Sequence, residues 1–288
     1  MRKALQALEY AGFRSLFGLV NALPLETAIS LSGAGWARAA RFNKRHRRAL
    51  ENLRESLPGL PDAERQRIIG AMWRHLGMTM AEAMRLEEIA ADPARLEPTD
   101  EARAAIELAR KQAVIFVSLH QGNWEAATVT LAKAGVSIAG VYQEIQNPRV
   151  EAFVADRRRV FYPGGLYSKG LETVRAVTKH IRAGGSVAIL ADLRDLRGEL
   201  VPFFGRNAPS TAFPALLARR FNAPLIAGQV LRTAPGRYRI GARRIEVPET
   251  ASREADITAA TANIQACFET WIRENPEQWM WAHRRWGR

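Results

Sequence analysis

Two hydrophobic patterns divide the chain. Over residues 1–95 apolar side chains recur at helical spacing, whereas from about residue 100 short unbroken apolar runs alternate with amphipathic stretches. The first region predicts helices over 3–23 and 25–40, parted at Pro24. A third opens in the basic run from Arg41 to Arg48 and ends near Pro58, and a fourth runs over 62–91. In this last one Ile68, Ile69, Met72, Trp73, Leu76, Met80 and Met84 are spaced to give one buried face. Such a Met-rich stripe belongs to a core or lines an acyl groove.

The second region begins with a polar helix over 101–111. Residues 113–119 then form a continuous apolar run, which predicts a strand buried on both faces of a helix-covered sheet. Further strands are predicted over 136–142, 186–191, 224–231 and 238–246. Helices are expected after Gly122, after Pro148, over 170–182, from near Thr211, and over 254–273. This alternation predicts an α/β fold with an N-terminal helical extension: 1–95 helical, 96–288 α/β, with no flexible linker between them.

Residues 15–37 are long enough to span a bilayer, but Pro24 and Glu26 lie in their middle, and a charge there is costly in hydrocarbon. The stretch reads as two amphipathic or buried helices that lie on a membrane or enter it shallowly, with a single span left open.

Composition adds a folded chain of 288 residues, 47% hydrophobic and 25% charged. The net charge of +13 favours an anionic partner: nucleic acid, an anionic membrane or an acidic protein. No reading helix, zinc module or aromatic RNA-binding signature is present, so nucleic acid is not expected. The single cysteine, Cys267, excludes an intramolecular disulfide and a multi-cysteine zinc site, and its helical setting suits a packed thiol.

The candidate chemistry sits in His120-Gln-Gly-Asn-Trp-Glu125, directly after a buried strand, where ligands of α/β sheets collect. Gly122 permits a turn, Asn123 suits an N-cap, and Glu125 then falls in the first helical turn near the positive helix end. In that geometry Glu125 accepts a proton from one imidazole nitrogen and leaves the other as a base for a substrate hydroxyl. The spacing alone leaves open a histidine that merely caps the strand end. No Gly-x-Ser-x-Gly elbow is present.

His120 and Glu125 match the His-x4-Asp/Glu motif of glycerolipid and lysophospholipid acyltransferases. Four ordered blocks, SLHQGNWEAA, VYQEIQNPRVEAFVADRRR, VPFFGRNAPST and NPEQWMWAHRRWGR, resemble the lipid A biosynthesis acyltransferases of the lauroyl/myristoyl type over nearly the whole chain. The resemblance implies a glycerolipid acyltransferase-like mixed sheet flanked by helices and a membrane-associating N-terminal extension. It implies transfer of a fatty acyl chain from acyl carrier protein to a hydroxyl of a lipid A precursor, at the cytoplasmic face of the cell inner membrane. The acyl thioester is then a co-substrate, and neither cofactor nor metal is expected.

His120 carries over as base and Glu125 as its partner. Arg158 carries over as a holder of phosphate or carboxylate, although Arg157 and Arg159 beside it leave open a plain basic helix face. Asn123 and Asp192, Phe203, Phe204 and Gly205 of the third block, and Thr211 ahead of its helix carry over as substrate-binding. Thr211 is open to an ordinary N-cap role as well. Tyr142-Gln143 stands where the family often shows Tyr-Arg, which puts the acceptor in question. Trp279, Trp281, Trp286, Arg284 and Arg285 suit a membrane interface or a packed core. The alternatives are acyl transfer to another lysolipid or glycolipid, with acyl-CoA as a possible donor, and a basic protein that binds nucleic acid or membrane without catalysis.

Overall fold

A computed structural model describes residues 2–168 and 170–287; Arg288, the last residue of the C-terminal block, lies outside them. The helical region comprises α1 (Arg2–Ala22), α2 (Leu25–Ala39), α3 (Lys44–Ser56), α4 (Asp62–Met84) and α5 (Leu86–Ala91). The helix predicted over 62–91 is therefore two. Arg85 leaves helical geometry (φ −125°, ψ 27°), and its Nη1 donates to the C-terminal carbonyls of α1 and its loop, Val20 (3.1 Å) and Leu23 (2.6 Å).

A seven-stranded sheet follows, in the order β1-β9-β8-β2-β5-β3-β4. Its strands are β1 (Leu96–Pro98), β2 (Ile115–Ser118), β3 (Ile138–Tyr142), β4 (Gly165–Ser168), β5 (Ser186–Leu190), β8 (Leu225–Ala234) and β9 (Arg237–Ile245). Only β8 and β9 pair antiparallel; the other neighbours are parallel. The central strand β2 lies between β8 and β5 with Ile115 and Val117 fully buried, as its unbroken apolar run requires. Helices α6 (Asp100–Ala109), α7 (Glu125–Lys133), α8 (Pro148–Arg159), α9 (Leu171–Arg182), α10 (Phe213–Phe221) and α11 (Arg253–Glu274) flank it. Leu53, Met72 and Trp73 of the N-terminal helices share one core with β2, β5 and α11.

Strands β1 and β4 carry no alternating pattern and were not predicted, nor was the hairpin β6 (Arg194–Phe203)–β7 (Arg206–Ser210). The hairpin places Phe203, Phe204 and Gly205, expected to bind substrate, at its turn. Phe203 pairs with Arg206, leaving a two-residue turn in which Phe204 (φ 53°) and Gly205 (φ 69°) take the left-handed geometry that such turns need. Both phenylalanines are buried: Phe203 stacks on Trp286 at 5.5 Å, and Phe204 packs on Trp281 at 5.6 Å.

The C-terminal tryptophans follow the packed alternative. Trp279 and Trp281 are fully buried, and so is Arg285, which donates to Pro209 O, Ser210 Oγ and Gln265 Oε1. Arg284 is exposed. Cys267 is a buried thiol pushed up to about 11 by burial. Among the described residues no helix is long and apolar enough to cross a membrane.

Candidate active site

Register builds the site. Ser118 at the end of β2 pairs with Leu190 at the end of β5, so the residues two beyond each, His120 and Asp192, meet at the carboxyl edge of the sheet. His120 Nδ1 lies 2.8 Å from Asp192 Oδ1. Asp192 Oδ2 accepts the His120 backbone N–H (2.8 Å) and the Trp279 indole N–H (2.9 Å). Asp192 is fully buried, which by itself raises a carboxyl pKa. Its interaction with His120, the hydrogen bonds from His120 and its interaction with His283 outweigh this and hold the group well below the usual carboxylate range. An ionised Asp192 accepts only, so the network assigns the proton to Nδ1 and leaves the Nε2 lone pair free.

The turn after His120 is clamped from three sides. Gly122 has φ +58°, and a Cβ there would stand 2.3 Å from the Val230 carbonyl oxygen. Its N–H donates to Gln278 O (3.2 Å), and its carbonyl accepts from Thr79 Oγ1 of α4 (2.8 Å). Thr79 in turn accepts from Arg232 Nη2 (2.7 Å). Arg232 pairs with Glu82 through Nε (2.8 Å) and Nη2 (2.5 Å), and its Nη1 meets His75 Nδ1 at 2.8 Å. Glu82 and Arg232 are both buried. This network was missed from sequence. Its trace is a polar stripe, His75, Thr79 and Glu82, at helical spacing on α4.

The expected pairing of His120 with Glu125 is corrected. Glu125 does open α7, as the turn requires. Its two oxygens instead accept from Arg158 Nη2 (2.5 Å) and the Tyr162 hydroxyl (3.0 Å). A guanidinium is a stronger partner for a buried carboxylate than a neutral imidazole, and Asp192 already occupies Nδ1 of that imidazole. Burial works against the charge on Arg158, but Glu125 and Tyr162 outweigh it and raise its pKa. Burial, then Glu125, raises the Tyr162 phenol.

The other predicted residues divide. Asn123 is fully buried; it donates to the Tyr238 hydroxyl (3.3 Å) and accepts from Glu125 N–H (3.3 Å), while the N-cap of α7 is Trp124. Thr211 lies ahead of α10, whose N-cap is Ala212, and meets Phe213 N–H only at 3.5 Å. Tyr142, beside Arg158, donates to Glu151 (2.5 Å); burial, then this bond, pushes its phenol up to about 12.

A cavity of about 10 Å³ adjoins His120, walled by Met72, Leu76, Thr79, Trp124, Trp279 and Met280. The Trp124 ring packs 4.7 Å from the imidazole and the His283 ring 5.0 Å. His120, Asp192 and His283 each offer one ligand-type atom within 4.8 Å of the others, the one such trio among the described residues. The Nδ1–Oδ1 hydrogen bond already engages two of its members.

An imidazole with one nitrogen fixed on a buried carboxylate and the other free, beside a small cavity of mixed polar and apolar lining at a sheet mouth, is equipped to take a proton from an alcohol. The chain matches the family of bacterial lipid A biosynthesis acyltransferases over residues 2–288. It belongs to that family and is an acyltransferase. No curated protein matches it.

Proposed function

We propose that this protein transfers a fatty acyl chain from acyl carrier protein to a hydroxyl of a lipid A precursor, with His120 as general base and Asp192, in place of Glu125, as the carboxylate that orients it. The observation that carries this reading is the 2.8 Å contact between His120 Nδ1 and the buried Asp192. His120 Nε2 takes the hydroxyl proton as the oxygen attacks the thioester carbon. The tetrahedral intermediate then collapses, the carbon–sulfur bond breaks, and the departing thiolate takes the proton from His120. Asp192 steadies the imidazolium between these steps. Transfer is direct, and the buried, high-pKa Cys267 takes no part.

Glu125 holds Arg158 through Nη2 (2.5 Å), and the Arg158 side chain stays partly exposed, which supports a role in holding an anionic group of the acceptor. The cavity holds about one water molecule, so Met72, Leu76 and Met280 move aside to admit an acyl chain; unbranched methionine suits such a wall. The place of action is the cytoplasmic face of the inner membrane. Leu5, Leu8, Leu16 and Leu19 support membrane association: all are exposed, and their spacing sets them on one face of α1.

The test is purified full-length protein with mass-labelled acyl thioesters of acyl carrier protein or CoA and a lipid A precursor bearing a free hydroxyl. The reading predicts product heavier by one acyl chain, preference for the carrier-protein donor, and a loss of at least about 10²–10⁴-fold in H120A. Transfer only to other lysolipids, or undiminished transfer by H120A, contradicts it.

A further inference from the structure

The C-terminal segment brings a second imidazole to the site, on a residue to which sequence reading gave no role. Its backbone is pinned from several directions. Met280 N–H donates to the His120 carbonyl (3.2 Å), and His283 N–H donates to Met280 O (3.4 Å). Asn52 Nδ2 of α3 donates to the carbonyls of Trp281 (2.8 Å) and His283 (2.9 Å), and Arg48 Nη1 to that of Ala282 (3.3 Å). The result sets the His283 ring edge-on to the His120 ring, with 5.0 Å between centroids and 65° between planes.

Among the described residues the His283 Nε2 has no hydrogen-bond partner, and it is buried. Its neighbour Asp192 is fully paired, to His120 and to the Trp279 indole. A buried polar atom without a partner is costly and rare in a folded protein, and one of its recognised explanations is a catalytic role. Here it lies next to the proposed base, on a segment fixed from both ends, so a partner that arrives with the substrate accounts for it.

We propose that His283 is a second catalytic imidazole: its Nε2–H donates a hydrogen bond to the carbonyl oxygen of the acyl donor as that oxygen becomes negative in the tetrahedral intermediate. The inference rests on the acyl-transfer reading above. His283 neither gains nor loses a proton, and no bond to it forms; proton transfer stays with His120. The ring is suited to this. Burial, then the charges of His120, Arg45 and Arg285, push its pKa down to about 3 against the pull of Asp192, so it stays neutral. A neutral imidazole fixed in place donates to a developing oxyanion without the cost of burying a cation.

Two measurements test this. The first is steady-state acyl transfer from acyl carrier protein to the lipid A precursor by full-length H283A, H283N and H283Q. The alanine variant is expected to lose about 10²–10³-fold in kcat with KM little changed. Glutamine, whose amide nitrogen reaches towards the place of Nε2, recovers about tenfold over alanine, and asparagine recovers less. A kcat within about threefold of the parent in H283A, a loss confined to KM, or rescue by asparagine equal to that by glutamine overturns the proposal.

The second measurement needs no turnover: nitrogen NMR of labelled histidine in the intact protein, with H283A used to assign the signal. A long-chain alkylphosphonate stands in for the tetrahedral intermediate, and its binding is followed independently by tryptophan fluorescence. His283 is expected to remain neutral and protonated at Nε2 from roughly pH 5 to 8, and its Nε2 signal to move on saturation. Titration of His283 within that range, or a signal unmoved at saturation, overturns the assignment. Absence of acyl transfer by the parent protein falls on the functional reading, and the NMR result still decides His283.

Discussion

Asp192 and His120 are 72 positions apart, and the register of β2 on β5 makes them neighbours. His120 stands out in the sequence as a histidine on a glycine turn directly after a buried strand, although the spacing alone equally admits a cap of the strand end. Its partner was not legible, because parallel pairing between distant strands leaves no local trace, and Glu125 offered a nearer carboxylate. The residues also set a pH response. His283 is held down at about 3, and His75 at about 4 by burial and then by Arg232 and Arg74. An unfolded chain protonates both below about 6.5 while the folded chain does not, so stability present above that pH falls as pH drops towards 4. Each imidazole contributes up to about 1.4 kcal/mol per pH unit to the slope. Asp192 acts in the same direction lower down: its depressed pKa stabilises the fold above the unfolded value of about 3.9, and that contribution is lost with further acid. Urea unfolding at pH 7 and 5 should show lower stability at pH 5 and a shallower dependence in H75Q; equal stability at both pH values contradicts this.

At the scale of elements, α4 couples the helical region to the turn that carries His120. Its apolar face was legible from spacing, but Glu82 and Thr79 on the buried surface gain their meaning only when β8 delivers Arg232. Removing one partner of this buried ion pair leaves an uncompensated charge, so E82Q is expected to cost about 3–5 kcal/mol in chemical denaturation. The double variant E82M/R232M should regain most of that stability. It should still show a lower kcat, because Arg232 no longer holds Thr79 on the Gly122 carbonyl. Parental kcat in the double variant means that the pair serves stability alone. The hairpin β6–β7 escaped prediction for a local reason: its turn uses Phe204, an aromatic residue at positive φ, where asparagine or glycine is the usual signal.

Over the whole molecule, a basic surface and the exposed leucine face of α1 stand beside a fold whose tryptophan-rich C-terminus closes onto β6, β7 and α11. The C-terminal aromatics could not be placed from composition, since an interface anchor and a core residue look alike in sequence; burial of Trp279 and Trp281 decides for the core. If α1 rests on lipid, L8E/L16E should weaken binding to anionic phospholipid vesicles at least about tenfold in a sedimentation assay without lowering the melting temperature, since each leucine buries about 1.5–3 kcal/mol of apolar surface. Unchanged binding contradicts a membrane role for that face. If Asp192 makes His120 a base, kcat for acyl transfer by D192N falls about 10²–10⁴-fold with KM for the lipid acceptor little changed, because the amide no longer fixes the tautomer or steadies the imidazolium; a folded D192N that keeps the parental kcat rules that role out.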